Sequence, residues 1–315
     1  MHGLPFLHIS GAKVYEGEIT MSSQRSINDR IKKITSLKPA NWNLYRGMLR
    51  SAIKTMRILE LPVVGPVMRR MGMLDPQPKA LTQGYYLNLN VDITDKAESV
   101  IMPIDMMKQA IRESSYRIIM DRCICRSSSE CKNFPSNHGC IFIGEGVRVC
   151  VENGVAREAT IEEALAHVDR GAELGLVGLS VWIEIEQYAW GVKDEDMKRW
   201  LEFCFCCPCC CVGFKMGQGL KDKRIFQDHF RSIGWKAAVD PEACTRCRIC
   251  LDVKCPVAAI SANGDGQAVI SAKDCVGCGI CAARCPQKAI TLKLAHPIKG
   301  TIKDYFRHGG LELDI

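Results

Sequence analysis

Two stretches near the C-terminus decide the architecture. They are Cys244-Thr245-Arg246-Cys247-Arg248-Ile249-Cys250 with Cys255-Pro256, and Cys275-Val276-Gly277-Cys278-Gly279-Ile280-Cys281 with Cys285-Pro286. The first three cysteines of the two runs are offset by 31 residues. The repeat reaches past the cysteines: Ala237 to Ala243 precedes one run, Ala268 to Asp274 the other, and Ala259-Ile260 and Ala289-Ile290 follow. Each half reads as strand, cysteine loop, short helix, strand. Vicinal and C-x-x-C spacings are poor geometry for several independent disulfides and good geometry for holding metal.

The rest of the composition is ordinary. The chain has 315 residues, 47% apolar and 24% charged, which excludes wholesale disorder and a collagen-like chain. The exception is the 19 cysteines. A chain this long builds a core without disulfide staples, so a disulfide scaffold is not expected. Met1-His2-Gly3-Leu4-Pro5 carries no basic region followed by an apolar one. The longest apolar runs, Leu61 to Met68 and Leu174 to Ile183, fall short of the ~20 residues of a spanning helix. A reducing, anaerobic cytoplasm is the expected location.

In the middle of the chain, Pro103 to Ser114 is expected to be a helix with proline in its first turn. Tyr116 to Met120 is expected to be a strand that delivers Cys123 and Cys125 to one side, since residues two apart on an extended chain point the same way. Cys131 and Cys140 follow in a polar loop. These four thiolates are enough for one cubane iron–sulfur cluster or one zinc, although C-x-C-x5-C-x8-C is not a common zinc spacing. Cys150, after an expected hairpin at Gly144-Glu145-Gly146, reads as a small buried apolar residue. Thr160 and Glu163 form a capping-box signature for a helix. His167 on that helix is expected to be packed or hydrogen-bonded, although within reach of a cluster.

Cys204, Cys206, Cys207, Cys209, Cys210 and Cys211 crowd into eight positions around Pro208. Proline argues against a regular helix there. A cubane takes four ligands, so six thiols do not all serve one ordinary cluster. Completing the set begun at Cys123, holding a second cluster, and simple burial all remain open for these residues.

Residues 235–294 resemble the bacterial two-[4Fe–4S] ferredoxin family. In that family the fourth cysteine of each run ligates the other cluster. The resemblance therefore implies one iron site at Cys244, Cys247, Cys250 and Cys285, and another at Cys275, Cys278, Cys281 and Cys255. The second run has the family spacing C-x2-C-x2-C-x3-C-P, whereas the first has four residues, Leu251 to Lys254, before Cys255. That extra residue is expected to bulge the loop. Residues 100–215 also resemble a group of larger uncharacterised iron–sulfur proteins. The matches are Cys123-Ile124-Cys125-Arg126, Glu162-Glu163-Ala164-Leu165, Leu174-Gly175-Leu176-Val177 and Cys204 to Cys211, with Phe205 where the group has asparagine. This second resemblance implies a third redox centre but no established reaction. On the cysteines themselves, one or two further iron–sulfur clusters are expected, with Cys123, Cys125, Cys131, Cys140, Cys204, Cys206, Cys207, Cys209, Cys210 and Cys211 as candidate ligands.

Charge is distributed unevenly. Of the formal net +7, residues 21–75 contribute +8, from eleven Lys or Arg and three acids. Asn43 to Glu60 reads as a helix with Leu44, Met48, Ala52 and Met56 at helical spacing and Arg46, Arg50, Lys54 and Arg57 as a basic stripe. Such a helix packs on its own core, docks an acidic protein, or lies on an anionic membrane surface. No helix-turn-helix, zinc-finger or RNP pattern points to nucleic acid. No flavin or nucleotide fingerprint is present.

The expected fold class is α+β. A basic helical arm covers residues 1–80, a Cys-rich α/β middle domain 81–234, a pseudo-symmetric ferredoxin-like βαβ repeat 235–294, and a tail 295–315. The expected function is an electron-transfer subunit relaying single electrons between internal [4Fe–4S] clusters and an acidic redox partner or flavoprotein reductase. The competing classes are a reductase with an unusual substrate-binding cluster in the middle domain, and a redox sensor. Arg246, Arg248 and Lys254 are expected to raise the potential of one ferredoxin cluster over the other.

Overall fold

The computed structural model describes residues 42–65, 84–87, 103–181, 189–232, 234–295 and 312–313, all within the unit Pro39–Ile315. Most of the expected arm, including Arg25, Lys38, Arg69 and Arg70, lies outside the described residues.

Seven strands build the middle sheet: β1 (Gly84–Leu87), β2 (Arg117–Met120), β3 (Ile141–Ile143), β4 (Ala156–Glu158), β5 (Val177–Val181), β6 (Leu201–Cys206) and β7 (Phe230–Ser232). Their order is β4-β2-β3-β6-β5-β1-β7, and every pair except β1–β7 is antiparallel. The α/β expectation for this region is therefore corrected: strands and helices alternate without building a parallel sheet.

The described helices are α1 (Trp42–Thr55), α2 (Pro103–Glu113), α3 (Ile124–Ser128), α4 (Arg148–Glu152), α5 (Ile161–Glu173), α6 (Val212–Gly219), α7 (Lys223–His229), α8 (Ile249–Asp252) and α9 (Ile280–Arg284). The capping box of α5 forms: the Glu163 N–H donates to Thr160 Oγ1 at 3.1 Å and the Thr160 N–H to Glu163 Oε2 at 2.9 Å. Such a cap contributes ~1 kcal/mol. Met106, Met107, Ala110 and Ile111 of α2 and Ala164 and Val168 of α5 pack with Phe142, Leu201, Phe203 and Phe205 of the sheet in one core.

Strand alternation on β6 sorts its side chains. Leu201, Phe203 and Phe205 enter that first core, while Cys206 enters a second core with Val177, Leu179 and Val181 of β5. The register agrees, setting Val177 opposite Cys206, Leu179 opposite Cys204 and Val181 opposite Glu202. The second core continues through Phe214 and Phe226 into Cys250, Cys275 and Cys278. The sheet thus offers one face to α2 and α5, and its other face joins the C-terminal repeat.

That repeat consists of β8 (Trp235–Val239), α8, β9 (Ile260–Ala262), β10 (Ala268–Ile270), α9 and β11 (Ile290–Leu294). β8 pairs with β11 and β9 with β10, both antiparallel. The expected helix at Asn43–Glu60 is α1 followed by a 3-10 turn, Met56–Glu60. It packs on the body: Met56 is buried, and a Cβ on Gly219 would meet Met56 Sδ at 2.8 Å. Arg50 donates to Glu130 at 2.5 Å and also to the Ser128 carbonyl, while Arg46 lies 3.6 Å from Glu130. Half of the basic stripe is therefore satisfied within the chain, and Lys54 and Arg57 remain exposed. The hairpin expected at Gly144 is instead a 3-10 turn leading into α4, on which Cys150 is fully buried. Among the described residues no helix is long and apolar enough to cross a membrane.

Candidate metal centres

Eight cysteines of the C-terminal repeat surround two hollows. The first, about 400 Å³ counted to its open mouth, is lined by Cys244, Cys247, Cys250 and Cys285. The second, about 290 Å³, is lined by Cys255, Cys275, Cys278 and Cys281. Each hollow thus takes its fourth cysteine from the other half of the repeat. Thiols line each hollow, and backbone N–H groups point at sulfur: Gly277 N to Cys275 Sγ at 3.3 Å, Ala259 N to Cys255 Sγ at 3.4 Å. A multi-iron cluster held by thiolates fits this donor set.

The two hollows differ in solvation and charge. Thr245 to Ile249 are exposed at the first, whereas Cys275 to Ile280 are buried at the second. Burial pushes the Cys278 thiol well up and that of Cys281 up to about 12. The N–H groups of Ala268 and Arg246 lower the Cys244 thiol. Gly277 and Gly279 adopt left-handed backbone, φ 66° and 75°, and their counterparts in the first half, Arg246 and Arg248, do the same at 61° and 64°. Lys254, expected to act with those arginines, instead precedes Cys255 of the second hollow. The extra residue of the first run is accommodated by a left-handed turn, with Lys254 at φ 50°.

That bulge is where the middle domain meets the repeat. Helix α6 begins directly after Cys211, and Gln218 Nε2 donates to the Lys254 carbonyl at 2.8 Å. A Cβ on Gly217 would lie 2.7 Å from Pro256 Cβ and 2.8 Å from the Pro256 carbonyl oxygen, so only glycine permits this approach.

Ten cysteines of the middle domain form two sets. In the first, the sulfurs of Cys131, Cys207, Cys209 and Cys210 all lie within 4.8 Å of one another. The second is a string. Cys140 Sγ lies 3.4 Å from Cys204 Sγ, and Cys211 Sγ lies 3.3 Å from Cys206 Sγ. Cys206 also meets Cys204, and Cys125 meets both Cys123 and Cys211. Glu202 Oε1 accepts from Cys204 Sγ at 2.8 Å. The structure thus divides the expected quartet Cys123, Cys125, Cys131 and Cys140: Cys131 joins the loop thiols and the other three join the string. Cys123 and Cys125 do meet, although by a route other than strand alternation. Cys123 is the extended N-cap of α3 and Cys125 lies in its first turn.

Arg126 lies between the sets. It is 1% exposed and donates to the backbone carbonyls of Pro135, at 2.8 Å, Phe205, at 2.6 Å, and His138. Desolvation works against its charge, but the neighbouring sulfurs of Cys123, Cys207, Cys140 and Cys206 more than offset this and hold it cationic. Without metal, burial pushes Cys207 up to about 12, and contact with Cys140 and Cys206, then burial, raises Cys204. Metal binding would displace these protons. His167 is hydrogen-bonded, with Nε2 2.8 Å from the Gly139 carbonyl oxygen. It stacks on His138 with ring centroids 3.8 Å apart, and burial lowers His138 to about 3. Sequence reasoning missed His138 and Glu202. The alternation Leu201-Glu202-Phe203-Cys204-Phe205-Cys206 signals the strand that aims Glu202 with the thiols, whereas nothing in the sequence marks His138.

Residues 243–289 match the family model described as a 4Fe-4S dicluster domain. No curated protein and no solved structure matches the chain. The C-terminal region is thus a ferredoxin-type iron–sulfur domain. With the cysteine groups of the middle region, it points to iron–sulfur electron transfer.

Proposed function

We propose that the chain is an electron-transfer protein of a cytoplasmic oxidoreductase system, with two [4Fe–4S] clusters in the C-terminal repeat and one further iron–sulfur centre in the middle domain. A bound [4Fe–4S] cluster takes up and returns one electron at a time. Cys244, Cys247, Cys250 and Cys285 would hold the first cluster, and Cys255, Cys275, Cys278 and Cys281 the second. The further centre would draw its ligands from Cys123, Cys125, Cys140, Cys204, Cys206 and Cys211, whose sulfurs would part from contacts of 3.3 and 3.4 Å to surround a cluster. The observation that carries the reading is the seating of α6, which starts at the Cys206–Cys211 pair and rests on Lys254 to Pro256 at the edge of the second hollow.

Burial around Cys275 to Ile280 disfavours the extra negative charge of a reduced cluster, while exposed Arg246 and Arg248 favour it at the first hollow. The first site then has the higher potential and meets solvent at Cys247. An acidic redox partner or reductase would dock there, on Arg246 and Arg248.

A second reading, a reductase whose middle centre binds substrate, draws support from one feature: Cys140, Glu202 and Cys204 converge within 4.8 Å, which adds an exchangeable carboxylate to the thiols. Iron and acid-labile sulfide counts on anaerobically prepared protein test the assignment. About twelve irons per chain are expected, falling to about eight in Cys206→Ser. About eight in the unaltered protein would remove the middle centre.

A further inference from the structure

We propose that Cys131, Cys207, Cys209 and Cys210 form a closed tetrahedral site for a single zinc ion, distinct from every iron–sulfur centre, that fixes the Cys131–Pro135 loop. This goes beyond the electron-transfer reading and does not depend on it.

The argument begins with distance. Four sulfurs around one ion at a metal–sulfur distance of about 2.3 Å stand about 3.8 Å apart. Cys131 Sγ and Cys209 Sγ are 3.7 Å apart, and Cys209 Sγ and Cys210 Sγ are 3.5 Å apart. A cubane places an iron behind each ligand sulfur and holds the four farther apart. The two cysteine quartets of the ferredoxin-type domain, each lining a hollow, do not bring all four sulfurs within 4.8 Å of one another. Among the described residues, the four loop thiols are the one quartet whose sulfurs all lie within 4.8 Å.

Local structure explains the convergence. Cys207, Cys209 and Cys210 lie on a tight turn at Pro208, which the Cys211 N–H closes on the Cys207 carbonyl at 3.3 Å. Cys206 and Cys211, at the two ends of the turn, meet each other instead. Cys131 comes from the loop after α3 to complete the set. Four protein thiolates leave no position open for water or substrate, the arrangement of a structural zinc. Their net charge with zinc would be −2, and Arg126 and Lys132 supply positive charge beside Cys207 and Cys131. The N–H groups of Asn133 and Phe134 point at Cys131 Sγ, as the hydrogen bonds around ligand sulfurs do. The Phe134 ring in turn lies 5.6 Å from the guanidinium carbon of Arg284, which is next to Cys285. Zinc at this site would hold the loop that supports that end of the ferredoxin-type domain.

The test is metal analysis of the full chain, produced anaerobically with iron and zinc both plentiful. One zinc per chain is expected beside the iron, and zinc-edge X-ray absorption should show four sulfurs at about 2.3 Å. Cys131→Ser should lose the zinc while its iron and sulfide counts stay unchanged. The absorption measurement needs no variant, so it decides the matter even if Cys131→Ser misfolds. Zinc below a tenth of an equivalent, iron in zinc's place, nitrogen or oxygen ligands at the zinc, or a loss of about four irons in Cys131→Ser with zinc retained would each overturn the proposal.

Discussion

The eight cysteines of the C-terminal repeat stand around hollows, whereas ten of the eleven in the middle domain lie sulfur to sulfur. In the repeat, each loop is part of a strand–loop–helix–strand unit, so spacing alone determines which thiols face one another. In the middle domain, a strand, a turn and a distant loop supply thiols from unrelated directions. Cysteine density therefore does not specify the centre. The local backbone does, separating Cys206 and Cys211 from Cys207, Cys209 and Cys210 within a few residues. A smaller contrast separates the two hollows, one buried and lined by glycine, the other exposed and flanked by arginine.

Removing iron with a chelator under anaerobic conditions should break the first comparison most strongly. Metal binding supplies folding free energy to small metal domains, on the order of 10 kcal/mol. Residues 235–295 are expected to lose amide protection in hydrogen exchange while β2, β3 and β6 keep theirs. Retained protection in both regions would show that the repeat does not depend on its iron.

Arg126→Met comes next. It removes a buried cation from among the sulfurs and leaves three carbonyls without their donor. A loss of about 3–5 kcal/mol is expected from denaturant unfolding. A loss under 1 kcal/mol would mean that the three carbonyls and the surrounding sulfurs do not depend on this cation.

Gly217→Ala tests the join between the regions. The new methyl would meet Pro256 Cβ at 2.7 Å and Phe226 Cδ2 at 2.8 Å, both too close. Overpacking of this kind costs about 1–3 kcal/mol. Slower electron exchange between the middle centre and the repeat should accompany it in flash-reduction experiments; an unchanged rate would place the join elsewhere.

Arg248→Gly sharpens the contrast between the hollows. Arg248 holds φ 64°, where Gly279 of the other half holds 75°. A left-handed side chain costs about 1–2 kcal/mol, partly offset by the flexibility glycine gains when unfolded, so the variant should be about 0.5–1 kcal/mol more stable. It should also bind an acidic partner less tightly, as titration at two salt concentrations would show.

Much of this was legible in the sequence, and the reasons are specific. The offset runs of cysteines define the repeat because spacing and the following proline carry the geometry. The capping box at Thr160 and Glu163 is local chemistry, and it forms as expected. The grouping of Cys131 with Cys207, and of Cys140 with Cys204, depends on pairing between β3 and β6, strands some 60 residues apart in sequence, which no short window reveals. Arg46 and Arg50 read as free charge until Glu130, some 80 residues away, is brought to them.

The most direct test of the electron-transfer account is an anaerobic redox titration of the full chain followed by EPR. Three iron–sulfur signals are expected, and the one altered by Cys247→Ser should reduce at a higher potential than the one altered by Cys278→Ser. Two signals of equal potential, with none lost in Cys206→Ser, would contradict it.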